Sequence, residues 1–139
     1  MSKLTIYADG GSRGNPGPAA CAAVFQTDQQ VIAQSSWYLG EATNNQAEYQ
    51  AVLNSLRFIK RNPQLFSQFQ TVEFVLDSEL VVKQLTGQYK IKNTHLQELA
   101  AQAKENINNL NLVVNFRHVL RDKNHRADEL LNNELDLRQ

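Results

Sequence analysis

Hydrophobic and polar residues alternate at the start of the chain. Within residues 3–10 every second side chain is apolar, which is the period of two typical of a β-strand with two different faces. A segment dense in glycine and proline follows at residues 10–18, and two more strand patterns lie at residues 20–27 and 30–39. The first third of the chain therefore predicts an antiparallel meander of three strands.

Helical spacing begins at residues 43–45, which are good N-cap residues, and continues to Asn62, before Pro63 ends the helix. The later patterns predict a strand at residues 71–77 and then a helix that Ser78 caps and Gly87 ends. A capping box at Thr94 and Gln97 predicts the start of the next helix, which runs to about Asn109. A strand at residues 112–119 and a helix from about Asn124 to Leu137 complete the chain. The order β-β-β-α-β-α-α-β-α predicts an α/β fold with a mixed sheet, because the later helical crossovers allow parallel pairing.

Length and composition predict one domain over residues 1–139. The 139 residues are 42% hydrophobic, enough for one core without metals or disulfides. Cys21 is the single cysteine and lies in the apolar run of residues 19–25, so we expect a buried thiol and a reducing compartment. That run is too short to cross a membrane, and residues 1–3 do not resemble a signal peptide. We therefore expect a cytoplasmic protein without a membrane partner.

Four acidic residues stand out by position. Asp9 and Asp77 each end a predicted strand, Glu48 lies on the apolar stripe of the first helix, and Asp128 shares a helix face with Leu131. Carboxylates gathered at one sheet edge need a cation, and all-oxygen ligands favour Mg²⁺ or Mn²⁺ over Zn²⁺. Taken singly, an acid at a strand end or a helix start is more often a turn former or a partner of the helix dipole. Without these four, 14 basic residues face 10 acidic ones, which suits a polyanion binder.

The sequence around these acids resembles type 1 ribonuclease H, the family that cuts RNA in RNA–DNA hybrids. Four motifs carry the resemblance: YADGGS at residues 7–12 with GNPG at 14–17, TNNQAE at 43–48, LDS at 76–78 and RDKNHRAD at 121–128. The resemblance implies a five-stranded mixed sheet flanked by helices. It also implies two Mg²⁺ ions, which Mn²⁺ can replace, held by Asp9, Glu48, Asp77 and Asp128, with Asp9 bridging the ions. A monomer that cleaves the RNA strand and leaves 5′-phosphate and 3′-hydroxyl ends is expected.

Two departures from the best-known bacterial members bear on mechanism. Only residues 88–93 separate Gly87 from Thr94, which leaves no room for the basic protrusion that those members use to hold the hybrid. The loop before the last helix is short and lacks glycine, as in the compact, archaeal-like branch of the family, in which an arginine at the position of Arg121 supports catalysis. A phosphate clamp and an exposed loop arginine are the alternatives for Arg121. We expect His125 to be a solvated residue at a helix start.

The resemblance also implies a substrate-binding set. Asn15, Asn44 and Asn45 match positions that contact the minor groove, where the 2′-hydroxyl distinguishes RNA from DNA, and we add Gly10 beside Asp9. Turn formation for Asn15 and N-capping for Asn44 are the alternatives. Thr43 and Asn93 match a pocket for a phosphate of the DNA strand.

Two other functions remain open at the level of sequence. One is a non-catalytic module that binds hybrids or double-stranded RNA on the same fold. The other is a broader nuclease that also cuts double-stranded RNA, because the protrusion is missing. The complete set of four acids favours the active enzyme.

Overall fold

The computed structural model describes residues 3–138 as a five-stranded sheet with strand order β3-β2-β1-β4-β5 and helices on both faces. Its elements are β1 (Leu4–Ser12), β2 (Gly17–Thr27), β3 (Gln30–Ala42), α1 (Asn44–Arg61), α2 (Pro63–Phe66), β4 (Thr71–Leu76), α3 (Glu79–Leu85), α4 (Thr94–Asn109), β5 (Val113–His118), a 3₁₀ turn (Arg121–Asn124) and α5 (His125–Asp136). Strands β1 to β3 pair antiparallel, whereas β4 pairs parallel with β1 and β5. The predicted mixed sheet is confirmed.

The two faces of the sheet carry different cores. On one face, alternate β1 side chains such as Leu4 and Ile6 are fully buried in the main core together with Leu53 and Leu56 of α1. On the other face, α5 packs on β2, where small Ala20 and Ala22 contact leucines of that helix. Alanines let the helix approach the strands closely, which brings the start of α5 near the central strand β1.

One local prediction is wrong, and two others are confirmed with an added short element beside each. The N-cap of α4 is Asn93, whose side chain accepts a hydrogen bond from Leu96 N, so the predicted capping box at Thr94 is wrong. Asn93 has the extended backbone of an N-cap, and Thr94 is already helical. Pro63 follows the end of α1 as predicted, but it also opens the short α2, because proline suits the first turn of a helix. The last helix starts at His125, after the 3₁₀ turn.

Two expectations from composition can be compared with the structure. The thiol of Cys21 is fully buried, as predicted. In residues 3–138 there is no helix with the length and apolar character needed to span a membrane.

Candidate metal centre

Two parallel neighbours, β1 and β4, bring Asp9 and Asp77 together. Tyr7 pairs with Val75 in the parallel register. Asp9 lies two residues after Tyr7 in β1, and Asp77 lies two residues after Val75, directly after the end of β4, so the two aspartates lie at the same level of the sheet. The carboxyl ends of parallel strands are the usual ligand-binding edge of such sheets. The register thus explains why two acids that are 68 positions apart meet.

Gly10 lets the third acid approach. A Cβ on Gly10 would lie 2.1 Å from Ala47 O and 2.6 Å from Glu48 N, so only glycine permits this contact between β1 and the first turns of α1. The amide of Gly10 donates hydrogen bonds to Asp9 Oδ1 at 2.9 Å and to Glu48 Oε1 at 2.8 Å. One backbone N–H therefore orients two carboxylates.

Asp9, Glu48 and Asp77 form a compact acidic trio. Each offers an oxygen that lies within 4.8 Å of the oxygens of the other two. Asp9 is 4% exposed and Glu48 is 6% exposed. Glu48 Oε2 is buried and has no hydrogen-bond partner among residues 3–138. Buried carboxylate oxygens without a donor fit a hard divalent cation such as Mg²⁺ or Mn²⁺, which takes oxygen ligands.

Burial and mutual repulsion alter the acidity of the trio. Burial raises the pKa of Asp9 to about 7, and the negative charges of Asp77 and Asp128 add to this rise. Burial raises the pKa of Glu48 well above its ordinary value, and its hydrogen bond with Asp9 contributes. Burial also raises the pKa of Asp77, whereas the nearby Arg121 guanidinium opposes the rise. Burial and mutual repulsion therefore favour the protonated forms of Asp9 and Glu48, and a bound cation would displace such protons.

Asp128 lies in the first turn of α5 and lines the same cavity as the trio. Among residues 3–138, the cluster of carboxylate oxygens that lie within 4.8 Å of one another does not include those of Asp128. Asp128 Oδ1 lies 3.5 Å from Arg121 Nη2, and the Arg121 side chain is 81% exposed. The structure therefore brings all four predicted acids and Arg121 to one cavity, with Asp128 at its edge.

The predicted minor-groove residues connect the β1–β2 loop to α1. Asn44 N donates to Asn15 Oδ1 at 3.0 Å, and Asn44 Oδ1 accepts from Ser12 N at 2.9 Å. Asn44, Asn45 and Gly10 line the cavity, and Asn15 is exposed beside it. Asn44 is not the N-cap of α1, so the capping alternative for this residue is wrong.

Thr43 and Asn93 are the N-caps of α1 and α4. Thr43 Oγ1 accepts from Gln46 N at 3.1 Å, and Gln46 Oε1 accepts from Thr43 N at 2.9 Å, which completes a capping box. Neither Thr43 nor Asn93 is among the residues that line the carboxylate cavity within residues 3–138. Both caps therefore lie outside the carboxylate cavity.

Three residues at the site, Asn124, Arg13 and Asn132, were not predicted from the sequence. Asn124 is 2% exposed, and its Nδ2 donates to Ala8 O at 2.8 Å, next to Asp9. Arg13 and Asn132 line the cavity as well. Asn124 and Arg13 lie within or between the recognised motifs, but nothing in the sequence shows where their side chains point. His125 is exposed, as predicted, with Nδ1 3.3 Å from Asp122 O.

The comparison with known families agrees with this site. A family model described as RNase H matches residues 1–135. The chain belongs to the RNase H family, and the resemblance noted in the sequence is confirmed.

Two curated relatives are similar over most of this chain. Ribonuclease HI of Halobacterium salinarum is 39% identical over 135 residues, which make up 96% of this chain and 65% of that protein. Bifunctional protein Rv2228c of Mycobacterium tuberculosis is 38% identical over 136 residues, which make up 96% of this chain and 36% of that protein. The chain thus spans about a third of the Mycobacterium relative and just under two thirds of the Halobacterium one.

Solved structures confirm the fold. RNase H1 from the halophilic archaeon Halobacterium salinarum NRC-1 has a TM-score of 0.87 and 38% identity, and the match covers 96% of this chain and 98% of that chain. LC11-RNase H1 in complex with an RNA/DNA hybrid has a TM-score of 0.88 and 39% identity, with 96% of each chain covered.

Proposed function

We propose that this chain is an endonuclease that hydrolyses the RNA strand of RNA–DNA hybrids and leaves 5′-phosphate and 3′-hydroxyl ends. The trio of Asp9, Glu48 and Asp77, with Asp9 and Glu48 buried and an unpartnered oxygen on Glu48, is the observation that carries the proposal. Membership of the RNase H family and the hybrid bound by LC11-RNase H1 support the choice of substrate. A monomeric state and a cytoplasmic location stay predictions.

Two Mg²⁺ ions, or Mn²⁺ in their place, are the proposed cofactors, with Asp9, Glu48, Asp77 and Asp128 as their ligands. When bound, such ions lower the pKa of a water nucleophile and neutralise charge on the phosphate and the leaving oxygen. The residues fit this role because every donor is an oxygen and because three of the carboxylates lie within 4.8 Å of one another.

Asp9 is the proposed bridging ligand. It shares the Gly10 amide with Glu48, and it lies at the same level of the sheet as Asp77. Burial raises its pKa most, and the charges of Asp77 and Asp128 add to the rise, which supports a position near both acids. Asp77 would then hold one side of the centre, and Glu48 and Asp128 would complete the ligand set.

Arg121 is the proposed contact to the substrate phosphate or to the leaving 3′ oxygen. Its side chain is 81% exposed and pairs only loosely with Asp128, at 3.5 Å. An exposed guanidinium can leave such a pair at little cost in free energy and bind a phosphate oxygen instead. The same cation also reduces repulsion among the acids, because it opposes the rise in the pKa of Asp77.

Recognition of the RNA strand is assigned to Gly10, Asn15, Asn44 and Asn45. Asn44 and Asn15 are neutral, hold each other in place and lie beside the cavity, so their amide groups suit hydrogen bonds to 2′-hydroxyls in the shallow minor groove. Thr43 and Asn93 are the proposed phosphate contacts to the DNA strand. Both present a helix N-terminus, where backbone amides and the helix dipole favour an anion.

A substrate panel tests the proposal. The chain is incubated with an end-labelled RNA–DNA hybrid, double-stranded RNA of the same sequence and a DNA duplex, each with Mg²⁺ and with excess chelator. We expect cleavage of the RNA strand of the hybrid in Mg²⁺ alone. Binding of the hybrid without cleavage would identify a non-catalytic module, and cleavage of double-stranded RNA at a comparable rate would identify a broader nuclease.

A further inference from the structure

Asp128 has two side-chain partners among residues 3–138. Arg121 Nη2 lies 3.5 Å from Asp128 Oδ1, and Asn132 Nδ2 lies 3.3 Å from the same oxygen. The side chain of Arg121 is largely in water, so it restrains Asp128 weakly. Asn132 Nδ2 also donates to the backbone carbonyl of Asp128 at 2.9 Å, which fixes the amide against α5. Asn132 is therefore the more rigid of the two partners.

Arg13 and the backbone carbonyl of Asp128 together fix which end of the Asn132 amide faces the Asp128 carboxylate. Arg13 Nη2 lies 3.4 Å from Asn132 Oδ1 and 3.3 Å from Asn132 O. A guanidinium has donors and no acceptor, so the side-chain oxygen of Asn132 must face Arg13. The NH₂ group of Asn132 is then left to donate to Asp128. The reversed amide would place two donors together at Arg13 and two acceptors together at Asp128.

Arg13 is itself anchored at both ends. Arg13 Nη2 lies 2.7 Å from Asp136 Oδ1, and Arg13 N donates to Pro18 O at 2.8 Å. Because Asp136 lies one turn beyond Asn132 on the same face of α5, the guanidinium binds two successive turns of that helix. The loop that carries Arg13 also carries Asn15, which accepts a hydrogen bond from the start of α1.

We propose that Arg13 and Asn132 are positioning residues for Asp128. Arg13 orients the Asn132 amide, and Asn132 holds the Asp128 carboxylate toward the trio, so that a divalent cation meets a prearranged fourth ligand. This inference rests on the metal-binding role proposed above for Asp128. Removal of partners that orient metal ligands typically lowers metal affinity or activity by about 10–100-fold.

The test is Mn²⁺ binding to the full chain, followed by electron paramagnetic resonance, in Asn132→Leu, Arg13→Ala and the double variant. We expect each single variant to raise the Kd for Mn²⁺ by roughly 10-fold or more. The double variant should lie close to Asn132→Leu alone, because both residues act through one network. The unfolding temperature of Asn132→Leu in chelator should change little, whereas Arg13→Ala should lower it, because that variant also loses the ion pair with Asp136. The rise in the Kd for Mn²⁺ should nevertheless appear in both variants.

Arg138→Ala is the matched control. Arg138 pairs with Glu134 near the end of the same helix and stacks on Tyr38, away from the carboxylates, so its variant should bind Mn²⁺ like the unaltered chain. Should Arg13→Ala fail to fold, Arg13→Lys keeps the charge and should give an intermediate Kd. An unchanged Kd in Asn132→Leu, or an equal effect of Arg138→Ala, would overturn the proposal. Failure of the unaltered chain to cut hybrids would instead contradict the proposed function.

Discussion

The backbone amide of Gly10 donates a 2.8 Å hydrogen bond to Glu48 Oε1, which ties the central strand to the first helix at the acidic trio. This contact requires the two backbones to approach so closely that a Cβ on Gly10 would lie 2.1 Å from Ala47 O. The position of Glu48 therefore depends on the absence of a side chain at residue 10. The site is built by backbone packing as much as by its acidic side chains.

Gly10→Ala should separate β1 from α1 and displace Glu48. We expect a loss of about 2–4 kcal/mol in the free energy of unfolding, because the clash is with backbone atoms that cannot turn away. Hybrid cleavage should fall by at least 100-fold. Thermal unfolding and cleavage rates measure the two effects.

Gly11→Ala is the control for that substitution. A Cβ at residue 11 would meet its nearest atom, Leu131 Cδ1, at 3.7 Å, an ordinary contact. This variant should stay close to the unaltered chain in stability. Equal losses of stability in Gly10→Ala and Gly11→Ala would contradict the role given to the Gly10 contact.

The elevated pKa of Asp9 predicts a stability that falls with rising pH when chelator is present. The folded chain keeps a proton on Asp9 up to a pKa of about 7, whereas the unfolded chain loses it near 3.8. Between these values the folded state binds more protons, so the free energy of unfolding decreases as pH rises from about 4 to about 7. Asp9→Asn removes the Asp9 part of this dependence, although Glu48 and Asp77 keep theirs, and should be more stable than the unaltered chain at pH 8 by about 1–3 kcal/mol.

Thermal unfolding at pH 5 and pH 8 in chelator measures this difference. Saturating Mg²⁺ should reduce it, because the cation stabilises the charged carboxylates of the unaltered chain. Parallel pH profiles for the two proteins in chelator would contradict the electrostatic description of the trio.

Arg121→Ala should lower kcat for hybrid cleavage by on the order of 100-fold, the effect typical of one lost transition-state donor. Its side chain is 81% exposed, so the unfolding temperature should hardly change. His125→Ala is the neighbouring control. His125 is exposed and, within residues 3–138, is not one of the residues that line the carboxylate cavity. A larger loss of kcat in His125→Ala than in Arg121→Ala would reverse the roles assigned to these two residues.

Asn44→Ala and Asn45→Ala should distinguish a residue that stabilises the fold from one that only binds the hybrid. Asn44 Oδ1 accepts hydrogen bonds from Ser12 N and Ser12 Oγ, and Asn44→Ala removes both, so this variant should lose stability as well as affinity for the hybrid. Asn45 is exposed at the cavity, and its variant should raise the KM for the hybrid several-fold at an unchanged unfolding temperature. Unfolding curves and KM values distinguish these outcomes, and the reverse pattern would contradict the assignment.

Much of this fold follows from local sequence patterns. The alternation in β1 and the helical spacing after Thr43 predicted the elements, and two strands that end in Asp9 and Asp77 predicted an acidic edge. These signals are local in the chain and repeat with the geometry of strand or helix. The strand order and the family membership agree with them.

Other features depend on contacts between distant side chains. The hydrogen bonds from Arg13 to Asn132 join residues 119 positions apart, and neither residue type marks the pairing in advance. The cap of α4 differed because Asn93 and Thr94 are both good N-cap residues and only the backbone conformation selects between them. The unpartnered Glu48 oxygen also became visible only once the burial of that residue was known.

Cleavage of a labelled RNA–DNA hybrid by the unaltered chain and by Asp9→Asn, across a Mg²⁺ titration, tests the central claim most directly. We predict RNA-strand cleavage that requires Mg²⁺ or Mn²⁺, and a loss of at least about 1,000-fold in Asp9→Asn, which stays folded in the same buffer. Undiminished cleavage in excess chelator, or a near-normal rate in folded Asp9→Asn, would contradict the account.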